Sequence, residues 1–501
     1  MRPLAGSAAR TPVAPALAFL LFGSLVAAAI TTTAPVQKLA PVVFGVVLLA
    51  ASYRWVLRWR NLVLLTVLVI LFIPMRRYSL PSSLPFQLEP YRVVVAFLAL
   101  AWITSLLIDP RVRLRRTGVE GPFGLYVLAV FVSMVLNAGR VAAVSSILTK
   151  TLMFTASYFV ILYLLPSVLS RRSDVDVVIK TFVTGGALVA LAAVVESRTN
   201  YNVFNHLTKV MPFLHLGQLP FQNGVDATGM SRGGRIRAYA SAEHPIALGA
   251  ALVMLMPLAF YLVKRTGQKR WWACLAFMLL GLFATVSRTG FLMLIVSVAI
   301  IVWYRRREMK RYWPALLPAI VVIHFAVPGT LGTMVQSFFP KGGLIAQQTH
   351  QNVGSGRLAT LGPVIHSEFD PHPIFGEGFG TRVSGDNGPN VKANAPILDD
   401  QWAGVLVETG VFGAFAFAWI FVRSVRMLGR WARENDDADG WLAVALAAGI
   451  GGFGVGMFTF DAFSFIQVTF VFYFLIALAG ASYARFTRMS ALRRVAAEPA
   501  R

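Results

Sequence analysis

The chain has few charged residues, which soluble domains need on their surface, and almost no cysteine for disulfide bonds. It has 501 residues but a single cysteine, Cys274, so a disulfide framework or a cysteine metal site within one chain is excluded. Only 14% of the residues are charged, whereas 56% are apolar and the mean hydropathy is +0.65. This composition excludes an ordinary soluble domain and predicts an all-α polytopic membrane protein.

Acidic residues are also scarce, with 22 Asp and Glu against 46 Lys and Arg, which gives a formal net charge of +24. Most of the basic residues separate apolar segments and do not form one patch of the size that a nucleic acid needs. The charge therefore indicates membrane topology, and no nucleic-acid partner is expected. No internal repeat and no low-complexity tail is visible, which argues against a repeat architecture.

Apolar runs that are long enough to cross a bilayer, or nearly so, recur along the chain at about 20 residues per span. They predict about 12 to 14 transmembrane helices, because the third run is short and two runs are nearly continuous at Ser287. The first run follows Arg2 and Arg10 and is expected to be an uncleaved span. The runs lie at 13–33, 37–53, 61–75, 91–108, 121–137, 146–169, 177–196, 244–263, 271–287, 289–304, 313–328, 401–422, 441–460 and 463–483.

Alternate connections carry basic clusters such as RVRLRR, KRTGQKR and RRREMKR, which belong in the cytoplasm by the positive-inside rule. Both termini are then cytoplasmic, and the two long connections face outward. The predicted organisation is about seven N-terminal transmembrane helices in 1–196, a first long outer loop in 197–243, central helices in 244–328, a large outer loop in 329–400, C-terminal helices in 401–484 and a cytoplasmic basic tail in 485–501.

Charged residues stand at the predicted outer ends of several helices. Arg288 lies in TVSRTGF between two apolar runs, where it is either a snorkelling interfacial arginine or an anchor for an anionic headgroup. Arg235 and Arg237 lie on the wrong side for the positive-inside rule and are candidates for phosphate contact. They precede Glu243 and His244 at a helix start, where Glu243 is equally consistent with a first-turn residue that faces the helix dipole.

The second long loop contains Arg357 and the glycine-rich turn PHPIFGEGFG. Such a turn lets the backbone approach a ligand closely, but it is not a nucleotide P-loop. His372 lies between two prolines in this turn, which favours a structural role over a catalytic one.

The stretch LDDQWAGVLVETGVFG, residues 398–413, re-enters the membrane at the end of this loop. Aspartate is a favoured N-cap residue, so Asp399 or Asp400 is expected to cap the helix that follows. Glu408 would then lie on the same face as Asp400 and about 12 Å deeper. A carboxylate at that depth is expected to face a polar interior or to pair with an arginine.

These motifs resemble the O-antigen ligase and O-antigen polymerase family of bacterial envelope enzymes. That family has an arginine of the S-R-[ST]-G type before a helix and a ligase motif of histidine, then N/S/Q, nine residues and GxxG. Here SRTG contains Arg288, and QWAGVLVET supplies the nine residues before GVFG. Asp399 stands in the place of the family's histidine and Asp400 in that of its polar neighbour. The resemblance covers about residues 235–425.

The resemblance implies a glycosyltransferase that uses an undecaprenyl-diphosphate-linked glycan as donor and a glycan or glycolipid hydroxyl as acceptor. The reaction would take place at the outer face of the bacterial cytoplasmic membrane, without a nucleotide sugar or a cofactor. Arginines are then expected to neutralise the departing diphosphate, and a carboxylate to deprotonate the hydroxyl. The expected diphosphate-binding residues are Arg288, Arg235, Arg237 and Arg357.

Asp399 and Asp400 are the expected catalytic residues, because paired carboxylates are common acid and base groups in sugar chemistry. Glu408, His372, His244 and Glu243 are expected to support them. The aspartate in place of the histidine leaves polymerase, or ligation to an acceptor other than lipid A core, more open.

Two alternatives remain. A flippase for lipid-linked glycans would also need many helices and a cationic lumen, but it should concentrate polar groups near the membrane midplane and not at the outer ends. A divalent cation bound by Asp399, Asp400 and nearby histidines is a second alternative, although adjacent aspartates without a spaced third ligand are a weak metal signal.

Overall fold

The computed structural model describes residues 58–81, 87–143, 147–169, 171–217, 231–232, 235–327, 329–339, 361–362, 364–381 and 399–497. The chain divides into two compact units, residues 1–63 and 64–501, and only residues 58–63 of the first unit are described. The first two predicted spans, Arg357 and most of the large second loop lie outside the described residues.

Helices make up most of the described chain. They are α1 (Trp59–Phe72), α2 (Pro90–Ile108), α3 (Glu120–Leu136), α4 (Ala138–Ala143), α5 (Ile147–Val168), α6 (Arg172–Thr199), α7 (Pro245–Thr266), α8 (Arg270–Ala284), α9 (Arg288–Met309), α10 (Leu316–Ala326), α11 (Thr330–Phe338), α12 (Gln401–Glu434), α13 (Ala438–Gly456) and α14 (Ile466–Ala497). Short 3₁₀ segments occupy Val203–Lys209, Lys310–Ala315, Met457–Thr459 and Ala462–Ser464, and a π-helical turn occupies Ile365–Phe369.

The strands in this part of the chain are two-residue segments that form two antiparallel pairs. β1 (Tyr78–Ser79) pairs with β2 (His215–Leu216), and β3 (Ser231–Arg232) pairs with β4 (Arg235–Ile236). Both pairs lie in connections between helices. They shape the loops and leave the fold all-α.

Eight of the described helices are long and apolar enough to cross a membrane, namely α2, α5, α6, α7, α9, α12, α13 and α14. The helices α1, α3 and α8 are apolar but shorter. Every predicted span after the first two overlaps a described helix, which confirms the polytopic all-α prediction. The run 313–328 differs, because its helix α10 has 11 residues and is only about 16 Å long, shorter than the hydrocarbon core of a bilayer.

The core of the bundle is built around α7, which packs against α6, α8, α9, α13 and α14. In the most apolar 18-residue stretch of α7, 89% of the residues are buried, whereas in that of α2 only 22% are buried. A helix that is apolar on all sides can be enclosed by other helices, whereas α2 leaves its apolar face for lipid.

The basic ends of the helices are joined by ion pairs on the side opposite the two long loops. Asp439 at the start of α13 lies 2.9 Å from Arg172 of α6 and 3.3 Å from Arg485 of α14. Arg305 of α9 lies 2.8 Å from Asp436. The few acidic residues on this side thus tie four helices together.

Candidate active site

The candidate residues that the structure describes lie at one end of the bundle, which we call the loop end. It is the end at which α1, α6, α8 and α13 finish and α7, α9, α12 and α14 begin. Backbone hydrogen bonds between loops that are far apart in sequence hold this end together. The loop end is therefore an ordered assembly in the described residues and not a set of separate helix tips.

Arg237 lies against the end of α8. Its side chain is buried, and its Nε donates a hydrogen bond to the carbonyl oxygen of Thr285 at 3.1 Å. The N–H of Ala238 donates to the carbonyl of Ala284, also at 3.1 Å. Arg235 lies two residues earlier, in β4. The segment that contains both arginines therefore lies next to the turn that carries SRTG.

The SRTG motif forms the start of α9. Ser287 is the N-cap, and its hydroxyl accepts from the N–H of Gly290 at 3.4 Å. Arg288 is the first residue of the helix and is half-buried. Val286, just before the motif, has a φ of +47°, a left-handed conformation that is rare for a β-branched residue. Strained backbone of this kind is concentrated at functional sites.

Asp400 is the N-cap of α12, as the sequence predicts. Its Oδ1 accepts hydrogen bonds from the N–H groups of Trp402 at 2.9 Å and Ala403 at 3.1 Å. Asp399 is the preceding residue and is half-buried. One oxygen of Asp400 is thus used to cap the helix. The structure gives Asp400 this structural task and does not give it to Asp399.

The segment 459–463 connects the start of α12 with SRTG. The hydroxyl of Thr459 lies 2.7 Å from that of Thr289. Gln401 donates its N–H to the carbonyl of Phe460 at 3.3 Å and accepts from the N–H of Phe463 at 2.7 Å. This segment joins the SRTG turn to the aspartate pair, and Arg237 joins the same turn through Thr285.

Glu243 is buried beside the start of α14 and not in the first turn of α7. Its Oε2 accepts a hydrogen bond from the N–H of Gln467 at 3.3 Å, and its Oε1 lies 3.5 Å from Nε of Arg76. Burial raises the pKa of the Glu243 carboxyl to about 7. Glu243 thus does not take the first-turn position at α7 that the sequence suggested, and it contacts the start of a helix that begins more than 200 residues later.

His244 is the N-cap of α7. Its Nδ1 accepts a hydrogen bond from the N–H of Ile246 at 3.1 Å, and its ring lies 5.5 Å from that of Phe465. An imidazole that accepts at Nδ1 carries its proton at Nε2 when it is neutral. The structure therefore gives His244 a structural task at the same place as Glu243.

The glycine-rich turn PHPIFGEGFG approaches the backbone of α12. The helix breaks at Gly410, with φ +66° and ψ −171°. The two N–H groups after the break donate to the carbonyls of Pro373 and Ile374 at 2.9 and 3.2 Å, and two carbonyls before it accept from the N–H groups of Glu377 and Gly378 at 3.1 and 3.3 Å. The turn thus replaces the hydrogen bonds that the break removes from the helix.

The predicted residues Glu408 and His372 lie beside this break, together with Glu377, which was not predicted. Glu408 is half-buried, and its backbone carbonyl also accepts from the hydroxyl of Ser133 at 2.6 Å. His372 is exposed in the turn. Glu377 is buried and forms an ion pair of 2.8 Å with Arg140. That Glu408 pairs with an arginine stays a prediction.

Sequence reasoning missed the adjacent arginines Arg76 and Arg77 after α1. Arg77 is buried, donates to the carbonyl of Ala242 and to Oδ1 of Asn205 at 3.0 Å, and lies over the ring of Tyr239 at 4.6 Å. Both follow an apolar run at the predicted outer side. Like Arg235 and Arg237, they therefore lie on the wrong side for the positive-inside rule.

Within the described ranges, no group of three or more His, Cys, Asp or Glu residues has an arrangement that could hold a metal ion. Asp399 and Asp400 belong to those ranges, whereas His350 and several neighbours do not.

The sequence was compared with protein families and with curated proteins. Residues 273–418 match the family described as O-antigen ligase. No curated protein matches the chain. The matched residues run from α8 through SRTG to the first half of α12 and so include Arg288, Asp399, Asp400 and the GVFG break. This match confirms, for residues 273–418, the resemblance to the O-antigen ligase family that the motifs show.

Proposed function

We propose that the protein transfers a glycan from an undecaprenyl diphosphate carrier to a sugar hydroxyl, as an O-antigen ligase-like or polysaccharide polymerase-like enzyme. The observation that carries the proposal is the joining of Arg237, the SRTG turn and the aspartate pair through the contacts at Thr285 and Thr459. This assembly offers cations and a carboxylate at one end of a membrane-embedded bundle, where a lipid-linked substrate presents its headgroup.

The arginines bind the diphosphate in this proposal. The bond between the anomeric carbon and the diphosphate oxygen breaks, and the carrier leaves with the additional negative charge. Arg288 and Arg237, with Arg235 and Arg357 from the adjoining loops, stabilise that charge as it develops, because guanidinium groups match phosphate oxygens with paired N–H donors. Arginines supply this charge without a metal ion, and insensitivity of the purified protein to a chelator tests that point.

Asp399 is the proposed base. The acceptor hydroxyl attacks the anomeric carbon, and its proton passes to the Asp399 carboxylate as the new glycosidic bond forms. Asp399 stands in the place of the family's histidine, while Asp400 holds the start of α12 with one oxygen. Glu243, His244, Glu408 and His372 support the site through the loops that they fix.

The proposed orientation places the loop end at the outer face of the bacterial cytoplasmic membrane and both termini in the cytoplasm. The basic clusters on the opposite side support it through the positive-inside rule. A carrier-linked glycan is then used after it has crossed the membrane.

The test is transfer of a labelled oligosaccharide from undecaprenyl diphosphate by purified protein in liposomes. Wild-type protein should lengthen the glycan or label an added acceptor, and Arg288→Ala should lose that activity while it keeps the wild-type elution profile. Arg423→Ala, on the opposite side of the bundle, is the matched control and should transfer normally. Movement of the labelled lipid between leaflets without transfer would instead identify a flippase and refute the proposal.

A further inference from the structure

A cleft of about 620 Å³ lies between α2, α5 and the start of α14. This volume falls within the range of about 300 to 1,000 Å³ that is typical of ligand sites. The helices α2 and α5 and the loop before α2 lie outside the matched region 273–418. The cleft is therefore distinct from the SRTG turn and from the aspartate pair.

The charged residues of the cleft lie at one end of it. Arg76 and Glu89 precede α2, Arg92 is in the first turn of α2, and Lys150 is in the first turn of α5. Glu89 lies 3.1 Å from Arg92 and also accepts from the N–H of Arg76 at 2.7 Å. Three cations lie against the carboxylate of Glu89 and that of Glu243, which contacts Arg76 from outside the cleft, so the mouth keeps a net positive charge.

The side chain of Arg76 is held at the mouth by an ion pair with Glu243. The buried carboxylate of Glu243 lies 3.5 Å from its Nε, while 58% of the Arg76 side chain remains exposed. Glu243 belongs to the same connection as Arg237. The mouth of the cleft is thus continuous with the loop end that carries the candidate active site.

The walls beyond the mouth are apolar. They are formed by small residues of α2 such as Ala96 and Ala99 and by aromatic residues such as Phe154 and Phe470. From Lys150 to Val160 the lining of α5 extends over ten residues, about 15 Å, which is half of the thickness of a bilayer core. The cleft therefore runs from a cationic mouth to about the depth of the membrane midplane.

The side of α2 next to the cleft is exposed and apolar. Phe97 and Leu100 are 47% and 66% exposed, as expected for residues in contact with lipid, and Ala96 beside them is also exposed. Because the side chains at this edge are small, a single aliphatic chain can enter the cleft sideways from the membrane.

We propose that this cleft binds the diphosphate and the first isoprene units of a polyprenyl diphosphate carrier. The inference rests on the proposed function and adds a second site for the carrier in the N-terminal half, separate from the position at which Arg288 and Arg237 contact the diphosphate during transfer. Arg76, Arg92 and Lys150 contact the phosphate oxygens, and the apolar walls contact the isoprenoid chain. An anionic headgroup on one long aliphatic chain matches both the charge of the mouth and the depth of the cleft.

The experiment measures retention of labelled, glycan-free undecaprenyl diphosphate by purified protein in nanodiscs of a neutral lipid. Ala99→Trp fills the cleft, and Leu100→Trp places the same side chain on the lipid-facing side of α2 as a matched control. Ala99→Trp should abolish retention, Leu100→Trp should retain the carrier as wild type does, and Lys150→Gln should weaken binding about tenfold through loss of one charged contact.

Equal retention by Ala99→Trp and Leu100→Trp would overturn the proposal. Displacement of the carrier by an equal concentration of phosphatidylglycerol would also overturn it, because the site would then be one for ordinary anionic phospholipids. Retention needs no glycan transfer, so failure of the wild-type protein in the transfer assay would count against the proposed function and leave the binding result to decide on the cleft.

Discussion

At the scale of single residues, Asp400 and Glu243 have structural tasks, whereas Asp399 is the proposed base. The sequence predicted a cap at Asp399 or Asp400 because capping is a local preference, and the structure shows that Asp400 is the cap. The actual environment of Glu243 was not predictable, since its partners Arg76 and Gln467 come from distant parts of the chain. Local propensity describes a helix start, whereas the position of a carboxylate beside a second helix depends on packing.

Glu243 should make the stability of the protein depend on pH. Its pKa rises from 4.5 to about 7 through burial, so the folded state binds a proton more tightly than the unfolded state. The stability contributed by the protonated form is fully present below about pH 4.5 and is lost as pH rises through about 7, a total of roughly 3 kcal/mol. Between pH 5 and 8 the thermal midpoint of wild type should therefore fall relative to that of Glu243→Gln.

Thermal unfolding in detergent measures this difference. A constant gap between the two midpoints over that range would show that Glu243 titrates normally.

Asp400 should be required for stability more than for chemistry. Asp400→Ala removes the cap of α12 and should cost about 1 kcal/mol, whereas Asp400→Asn keeps an oxygen for the N–H groups of Trp402 and Ala403 and should retain both stability and transfer. Thermal midpoints and transfer rates of the two variants test the division. Loss of transfer in Asp400→Asn with an unchanged midpoint would make Asp400 a catalytic residue.

At the scale of elements, the break in α12 shows what periodicity cannot reveal. The apolar pattern predicted a continuous helix from 401, and the helix is interrupted at Gly410 because the turn at 373–378 supplies its hydrogen bonds. Both segments contain glycine where the backbones meet, since a Cβ on Gly376 would overlap the backbone of Glu408 and one on Gly410 that of Ile374. The GVFG motif is thus the docking point of the large loop.

Gly410→Ala should separate that loop from α12. Its φ and ψ fall in a region that only glycine occupies readily, so the substitution should destabilise the protein by roughly 1 to 3 kcal/mol and abolish transfer. Gly404→Ala is the matched control on the same helix, because its nearest neighbour would be a side-chain nitrogen at 4.0 Å. It should be neutral or stabilising by up to about 1 kcal/mol.

Limited proteolysis of the 361–381 segment and thermal unfolding compare the two variants. Equal behaviour of both would mean that the break is not needed to dock the loop.

At the scale of the whole molecule, composition was enough to predict an all-α polytopic protein, and the spans after residue 57 overlap described helices. The helix α10 overlaps its run as well, but it has only 11 residues. Its residues are as apolar as those of a true span, but apolarity alone does not determine how long a helix continues. The contacts between the segments of the loop end could not be predicted from the sequence either. They depend on hydrogen bonds between segments up to hundreds of residues apart.

The predicted orientation can be tested because the chain has one cysteine. In a Cys274→Ser background, Val210→Cys in the first long loop should react with a membrane-impermeant maleimide in spheroplasts. Gln268→Cys, in the basic connection between α7 and α8, should react only after the membrane is opened. The reverse labelling pattern would invert the orientation and place the loop end in the cytoplasm.

The central claim is that Asp399 removes the proton of the acceptor hydroxyl at the loop end. Its most direct test is the initial rate of glycan transfer from undecaprenyl diphosphate by Asp399→Asn, with Asp400→Asn measured beside it. We expect Asp399→Asn to lose about 10² to 10⁴ of the rate, the usual contribution of a general base, while the neighbouring variant stays close to wild type. Transfer at the wild-type rate by folded Asp399→Asn would contradict the account.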